Sequence, residues 1–333
     1  MRKIQLIFDY RENFSSQSKK GFHNDHQSLE NIQEIYKVIK QLGYDCELFG
    51  GVNELICAYH GKKSISTMDA YLNLSDGLTQ EYSRVQIPIL CDLLGLKYSG
   101  GGPFSVALAT NKYYSVLAAK KIGVPVSRSA LFLPEMPPDD LALSDLTYPV
   151  ILKPNTKGSS VGINNKSVCK SKKEVKEQID FLSAQFSEIL IEEYVPGYDA
   201  TNFIIGNGDN ILLNEVVLAL HDNIIYNKNE VMSIDDYALK KNSYISPDQF
   251  LSTETIKNIK SYTQKITQHF ATYDFSRLDY RVNKNGDIVF LEINTIPGIR
   301  PGNQIGAICK KRNIEFKDFI QLIVKAFIDR IDS

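Results

Sequence analysis

The chain has 333 residues, with 38 Lys and Arg against 39 Asp and Glu and a formal net charge of −1, so no global field draws it to nucleic acid or to an anionic membrane. Its 20 Gly and 12 Pro exclude collagen-like and low-complexity classes. Its five Cys, scattered at 46, 57, 91, 169 and 309 without a CxxC pair, fit reduced cytoplasmic thiols rather than a disulfide framework or a zinc site.

The N-terminal apolar run Ile4–Phe8 stops at Asp9, too short for a signal peptide. No apolar stretch approaches the roughly 20 residues that span a bilayer. The expectation is a cytoplasmic globular protein of two or three folding units. Ile4–Phe8 reads as a strand buried on both faces. Leu29, Ile32, Ile35, Ile39 and Leu42 recur at helical spacing, with Asp25 or Ser28 as the cap and Gly43 as the stop. Cys46–Phe49 and Ala70–Leu74 follow as short strands, and Gln86–Leu94 as a helix ended by Gly95. This alternation predicts a parallel sheet covered by helices. Ser99-Gly100-Gly101-Gly102-Pro103 is a turn-rich joint, after which Ala107–Lys121 reads as a helix. Pro149–Lys153 and Val161–Asn165 read as strands around a Gly/Ser loop, Val175–Phe186 as a helix and Glu188–Tyr194 as a strand. Beyond Val195 strands mix with a long polar stretch, Tyr226–Gln249, and Phe316–Ile331 closes the chain as a helix.

Three segments can carry chemistry. The first is the pair of strand patterns Ser276-Arg-Leu-Asp-Tyr-Arg-Val and Val289-Phe-Leu-Glu-Ile-Asn294, joined through Asn285-Gly286, the favoured two-residue hairpin turn. Such a turn pairs Leu278 with Ile293, Tyr280 with Leu291 and Val282 with Val289, giving one apolar face. The other face pairs Asp279 with Glu292 and Arg277 with Asn294. Opposed carboxylates repel. A divalent cation removes that cost, and oxygen donors suit Mg²⁺, while Arg277 can hold a phosphoryl group or an anionic intermediate. A hairpin with a plain solvated face is the competing explanation. The second is Lys153-Pro-Asn-Thr-Lys-Gly158-Ser159-Ser160-Val-Gly162, whose backbone N–H groups can converge on phosphate. It is not a P-loop, and by itself it equally describes an ordinary turn. The third is Ile189-Leu-Ile-Glu192-Glu193-Tyr194-Val195-Pro-Gly-Tyr-Asp199, a strand end and hinge that can offer backbone groups to a base edge, and that alone reads only as a strand ending in a Pro-Gly turn.

In this order the segments resemble the ATP-grasp superfamily, and more closely the D-alanine–D-alanine ligase family, over about residues 70–310. The resemblance also uses Tyr98-Ser-Gly and Ala107-Leu-Ala-Thr-Asn-Lys112. It implies an α/β chain with the ATP-grasp fold and an N-terminal Rossmann-like parallel-sheet domain. The units would be 1–97, 98–194 and 195–333, the last with the metal site and a lid. By the same resemblance, Lys112 and Lys153 contact ATP phosphates, and Gly158, Ser159 and Ser160 form a mobile phosphate loop. Glu192, Glu193, Tyr194, Val195 and Leu291 surround the base, and Asp199 takes the ribose. Asp279, Glu292 and Asn294 hold Mg²⁺, two ions, or Mn²⁺ in their place. Arg277 and the Gly298 backbone stabilise the tetrahedral intermediate, and Lys240, on a lid within Tyr226–Gln249, meets the γ-phosphate. Catalytic roles thus fall to Arg277, Ser159, Ser160, Lys240 and Gly298. The implied reaction converts a carboxylate to an acyl phosphate that an amine displaces, with amino acids as substrates, no nucleic-acid or membrane partner, and a homodimer as the assembly.

Departures from the family pattern gather at the substrate end and the lid. Ile7-Phe-Asp-Tyr-Arg-Glu-Asn-Phe lacks the usual Gly-rich opening with its Glu and Ser. Asn111 replaces an Asp, Lys241 stands where Tyr is common, and Asn303-Gln304, with Arg300 nearby, replaces a Ser-Leu. ATP-dependent ligation is therefore better supported than D-alanine as substrate. A dipeptide or amide ligase with other substrates is the close alternative, and a non-catalytic nucleotide sensor the alternative of another class. His23 and His26, near the first helix, are either surface imidazoles or part of the amino-acid site. The Cys residues read as small core hydrophobes.

Overall fold

The computed structural model describes residues 2–10, 26–78, 81–135, 143–164, 166–221, 224–227 and 242–333. Its first sheet is parallel, in the order β2-β1-β3-β4, from β1 (Ile4–Ile7), β2 (Cys46–Gly50), β3 (Ala70–Asn73) and β4 (Lys97–Tyr98). Helix α1 (Leu29–Gln41) joins β1 to β2 in sequence, with Ser28 as its N-cap accepting from the Asn31 N–H. Its stripe Ile32, Ile35 and Ile39 is buried, as the spacing predicts. Helices α2 (Val52–Tyr59) and α3 (Gln86–Leu93) pack with Phe49, Tyr71 and Leu96.

The joint at Tyr98–Gly102 is pinned from far along the chain. Buried Asp274 accepts from the Gly100 N–H, 2.9 Å, and from Arg330, whose Nη2 also donates to the Tyr98 carbonyl, 2.8 Å. The stretch expected as one helix over 107–121 is two, α4 (Pro103–Thr110) and α5 (Lys112–Lys121). Asn111 between them is extended, and its side chain caps α5 by accepting from the Tyr114 N–H at 3.0 Å. An Asn that can bond the backbone two or three residues on competes with helix continuation.

The second sheet is antiparallel, β5-β8-β6-β7, from β5 (Ser129–Phe132), β6 (Val150–Pro154), β7 (Val168–Cys169) and β8 (Ile189–Glu193), covered by α6 (Lys172–Ser183). The expected strand at Val161–Asn165 is not formed over 161–164. Ser159 and Ser160 instead have left-handed backbones, φ 48° and 57°, and tight turns follow, with Val161 N–H donating to the Gly158 carbonyl and Ile163 N–H to that of Ser160.

The third sheet runs β12-β10-β9-β13-β14, antiparallel, with β11 also on β9. Its strands are β9 (Gly197–Asn207), β10 (Asn210–His221), β11 (Tyr226–Asn227), β12 (Asn242–Ile245), β13 (Phe275–Val282) and β14 (Ile288–Asn294). The helices α7 (Thr253–Phe270), α8 (Asn303–Arg312) and α9 (Phe316–Asp332) complete the fold. Even-numbered Leu278 and Tyr280 pack under α4, α5 and α7. On the opposite face Phe203, Ile205 and Phe275 pack under α8 and α9, together with β1, α1 and β3. Farther along that second face the helices end, and Arg277 and Asp279 emerge into open space. Strand alternation thus turns a core face into a site wall.

The hairpin departs from the expected register in one place. Arg277–Asn294, Leu278–Ile293 and Asp279–Glu292 pair as predicted. Nearer the turn the pairs are Tyr280–Phe290, Arg281–Val289 and Val282–Ile288. The turn has one more residue than expected. Asn283 N–H donates to the Asp287 carbonyl, and Gly286 is left-handed at φ 86°, as in three-residue hairpin loops. A β-bulge at Leu291 absorbs the extra residue and restores the register beside the carboxylates. Ile288 and Phe290, not Val289 and Leu291, therefore face the core. Among the described residues no helix is long and apolar enough to cross a membrane.

Candidate active site

A cleft of about 900 Å³ lies between the second and third sheets and reaches the start of α1. Every described residue predicted above for nucleotide, phosphoryl or metal contact lines it. Lys240, and 228–241 of the polar stretch, lie outside the described residues, as does His23.

Asp279 and Glu292 stand on adjacent strands as a direct pair. Asp279 accepts from Arg277 at 3.0 and 3.2 Å and from Thr201 Oγ1 at 2.8 Å, while Glu292 Oε2 lies 3.1 Å from Lys112 Nζ. Burial, reinforced by the Glu292 charge, pushes the Asp279 carboxyl above its usual value. Burial also opposes the Glu292 charge, but Lys112, Lys153 and Arg277 outweigh it and hold Glu292 at about 2. Burial opposes the Arg277 charge too, and Asp279 overrides it, so the guanidinium is held above its ordinary value. Glu292 is thus firmly anionic, and Asp279 is an acid kept under like-charge stress. Asn294 adds an amide oxygen, which accepts from Arg84 Nη1 at 3.0 Å. Two carboxylates and an amide oxygen form a hard, all-oxygen donor set that fits Mg²⁺ or Mn²⁺. Among the described residues no three His, Cys, Asp or Glu side chains gather as an alternative metal cage.

Lys153, on β6, lies 2.6 Å from Glu192 Oε1 on β8, and both are buried. Lys112 opens α5, where its N–H donates to the Asn155 carbonyl and its Nζ to the Lys157 carbonyl at 2.5 Å, so the lysine reaches the phosphate-type loop from a fixed helix start. At the hinge, Glu193 turns away, accepting from the Thr147 N–H and Arg128 at 2.7 and 2.6 Å. The N–H groups of Glu193 and Tyr194 donate to the Arg128 and Pro149 carbonyls. Asp199 holds Arg281 at 3.1 Å and His221 Nε2 at 2.9 Å.

Leu291 lines the cleft beside Glu292, while Phe290 and Ile293 are buried in the core. The bulge makes this possible, because two successive residues of β14 sit opposite one residue of β13. A regular strand would send Leu291 to the far face.

Thr201, Arg281, His221 and Arg84 were not singled out as site residues from the sequence. Arg277, Asp279 and Arg281 share one strand face, so Arg281 was legible by alternation. Thr201, His221 and Arg84 arrive through pairings distant in sequence. Arg84 also binds buried Asp76 at 2.6 Å. His26 is buried, with Nε2 2.9 Å from the Gly77 carbonyl, and belongs neither to the surface nor to the cleft lining.

An antiparallel four-stranded sheet and a larger antiparallel sheet gripping a cleft lined by lysines and opposed carboxylates define the ATP-grasp class. Solved structures share the architecture. The D-alanine–D-alanine ligase of Bacillus anthracis complexed with ATP superimposes with a TM-score of 0.74 at 17% identity, over 99% of this chain and 98% of that one. The VanG D-Ala:D-Ser ligase of Enterococcus faecalis gives 0.74 at 18% identity, over 98% and 99%. The D-alanine–D-alanine ligase of Aquifex aeolicus is 26% identical over 299 residues, 89% of this chain and 94% of that protein. That of Thermotoga petrophila is 24% identical over 301 residues, 90% and 92%. The family model described as D-ala D-ala ligase C-terminus matches residues 119–325. The chain belongs to the D-alanine–D-alanine ligase family of ATP-dependent ligases.

Proposed function

We propose that this chain joins a carboxylate to an amine, both on amino acids, with ATP consumed through an acyl phosphate. The observation that carries this reading is the opposed Asp279–Glu292 pair with Arg277, Lys112 and Lys153 around it in one cleft. Asp279, Glu292 and Asn294 would hold magnesium, which when bound neutralises phosphate oxygens. The chain's own groups do the rest. Lys112 and Lys153 hold phosphate charge, and the left-handed turn at Ser159 and Ser160 offers backbone donors to the transferring group. Since Glu193 and Tyr194 have committed their N–H groups, the base edge is read at Val195, with Leu291 as an apolar wall and Asp199 toward the ribose. Arg277 and the Gly298 N–H stabilise the oxyanion that forms when the amine attacks.

The test is magnesium-dependent ADP release with a panel of amino acids that includes D-alanine, together with the mass of the product. ADP and a condensed product with some pairing support the reading, and D-alanine alone would mark the cell-wall substrate. No ADP with any pairing overturns it.

A further inference from the structure

Arg84 lies between β3 and α3, in the N-terminal parallel-sheet region, yet its side chain ends at the proposed metal site. Its Nε lies 2.6 Å from Asp76 Oδ1, and its Nη1 donates to Asn294 Oδ1 at 3.0 Å. The Asp76 side chain is 4% exposed and that of Arg84 16%. The acid neutralises the arginine, which therefore meets Asn294 as an oriented donor rather than as a bare cation. The segment carrying it is firmly held. Ser83 Oγ donates to the Asp76 carbonyl at 2.7 Å, and the Leu78 N–H to Gln86 Oε1 at 2.8 Å. Gly77, at φ 75°, passes so close to Ser83 that a Cβ there would lie 2.1 Å from the Ser83 carbonyl oxygen, an approach that glycine alone allows. Just ahead of Arg84, Glu81 accepts from Ser187 Oγ at 2.9 Å and Tyr82 Oη from Asn111 Nδ2 at 2.6 Å. The segment is thus braced against the N-cap of α5 on one side and against β14 on the other.

What Arg84 does to Asn294 follows from the chemistry of the two groups. A guanidinium has only donors, so the atom of the Asn294 amide that faces it has to be the oxygen. That oxygen has two lone pairs. Arg84 takes one, and the second is left for another partner on the cleft side, where Asp279 and Glu292 also stand. The terminal torsion of an Asn side chain is broad and two-fold. Without the arginine the amide can turn over and present its NH₂ group, which repels a cation. Asp279 and Glu292 carry no such ambiguity, since both oxygens of a carboxylate accept. Asn294 is therefore the one residue of the proposed donor set whose use depends on an outside partner, and Arg84 is that partner.

We propose that Arg84 is a positioning residue, which through Asn294 turns the amide of the metal site oxygen-first toward the ion. The inference rests on the metal placement given above. The test is a Mn²⁺ titration of the protein with an equimolar non-hydrolysable ATP analogue, read from the paramagnetic resonance of free Mn²⁺ against the analogue alone, with melting temperature alongside. Arg84→Lys keeps a cation for Asp76, but an ammonium lacks the planar fork that reaches both partners. This variant should stay folded and bind Mn²⁺ roughly ten- to a hundredfold more weakly. Arg84→Met combined with Asp76→Asn, which leaves no bare buried acid, should lose as much. Rescue separates positioning from a plain bridge between segments. With Asn294→Asp, whose two oxygens both accept, Arg84→Lys should cost no Mn²⁺ affinity. Wild-type Mn²⁺ affinity in both Arg84 variants overturns the inference, whatever their melting. So does an equal loss in the Asn294→Asp background. Wild type that binds no more Mn²⁺ than the analogue alone overturns the metal placement itself, and this inference with it.

Discussion

The two ends of the cleft solve opposite electrostatic problems. At the nucleotide end, Lys112, Lys153, Arg277 and Arg281 are already paired with acids on neighbouring strands. At the substrate end, Arg300 waits without an internal partner among the described residues. Paired cations are held in place before any ligand arrives, and a ligand enters by exchanging one set of contacts for another. A guanidinium N–H buried without an acceptor is costly until one reaches it. The first arrangement fixes its side chains in advance, and the second leaves one of them without a fixed acceptor.

The strongest way to break this comparison is Glu292→Gln. Removing the anion that Lys112 and the metal would share should lower ATP turnover by about a hundredfold or more. Melting should fall as well, because Lys112 loses its acid, an effect that the relieved repulsion with Asp279 offsets only in part, so turnover is compared where both proteins are folded. Turnover at the wild-type rate would show that the paired end is scaffolding only. Next is Lys153→Met, which strands buried Glu192. Breaking such a pair costs about 3–5 kcal/mol, and nucleotide affinity should fall roughly ten- to a hundredfold. Adding Glu192→Gln should restore the melting temperature but not the affinity; calorimetry and nucleotide titration on both variants separate the two effects. Leu291→Ala should weaken nucleotide binding by about 1 kcal/mol with no shift in melting, whereas Phe290→Ala, one residue away in the core, should cost about 3–5 kcal/mol of stability. Similar melting of the two variants would contradict the bulge. The smallest effect concerns Glu193. Burial raises its pKa, but the Thr147 N–H and Arg128 more than compensate, so it lies below 4.5. Its stabilisation is complete above that value and is lost as pH falls through the depressed folded-state pKa. With Arg128 half exposed, the term is under about 1 kcal/mol. Glu193→Gln should therefore melt slightly lower than wild type at neutral pH, and the difference should vanish as pH falls through the depressed pKa.

Much of the nucleotide end was legible in the sequence because it rests on local strand pairing. Asp279 opposite Glu292 follows from counting across a hairpin, and the first parallel sheet follows from its apolar runs. The distal register did not, because a longer turn and a compensating bulge cancel at the site and leave no trace in the count. Helix α7 was hidden because Thr255, Thr263 and Thr267 occupy buried positions in its apolar stripe. Helix α8 was hidden behind the turn-like Pro301-Gly302. The pairings Thr201–Asp279 and Arg84–Asn294 link segments 78 and 210 residues apart, and no short-range pattern reports them. Arg300 was visible as an oddity of the chain, but that its Nε is buried without a partner among the described residues is a property of the folded molecule alone.

By shifting the phase of β14 between Phe290 and Ile293, the bulge separates two demands that a regular strand would fuse. Leu291 is an apolar residue with no duty in the core, and its neighbour Glu292 can stay anionic without an intervening residue. Replacements at 291 therefore change the cleft wall without touching the buried core positions 290 and 293, and the carboxylate next door keeps its position. That stretch of wall is an interchangeable part of the molecule, open to adaptation or redesign independently of the carboxylate pair beside it.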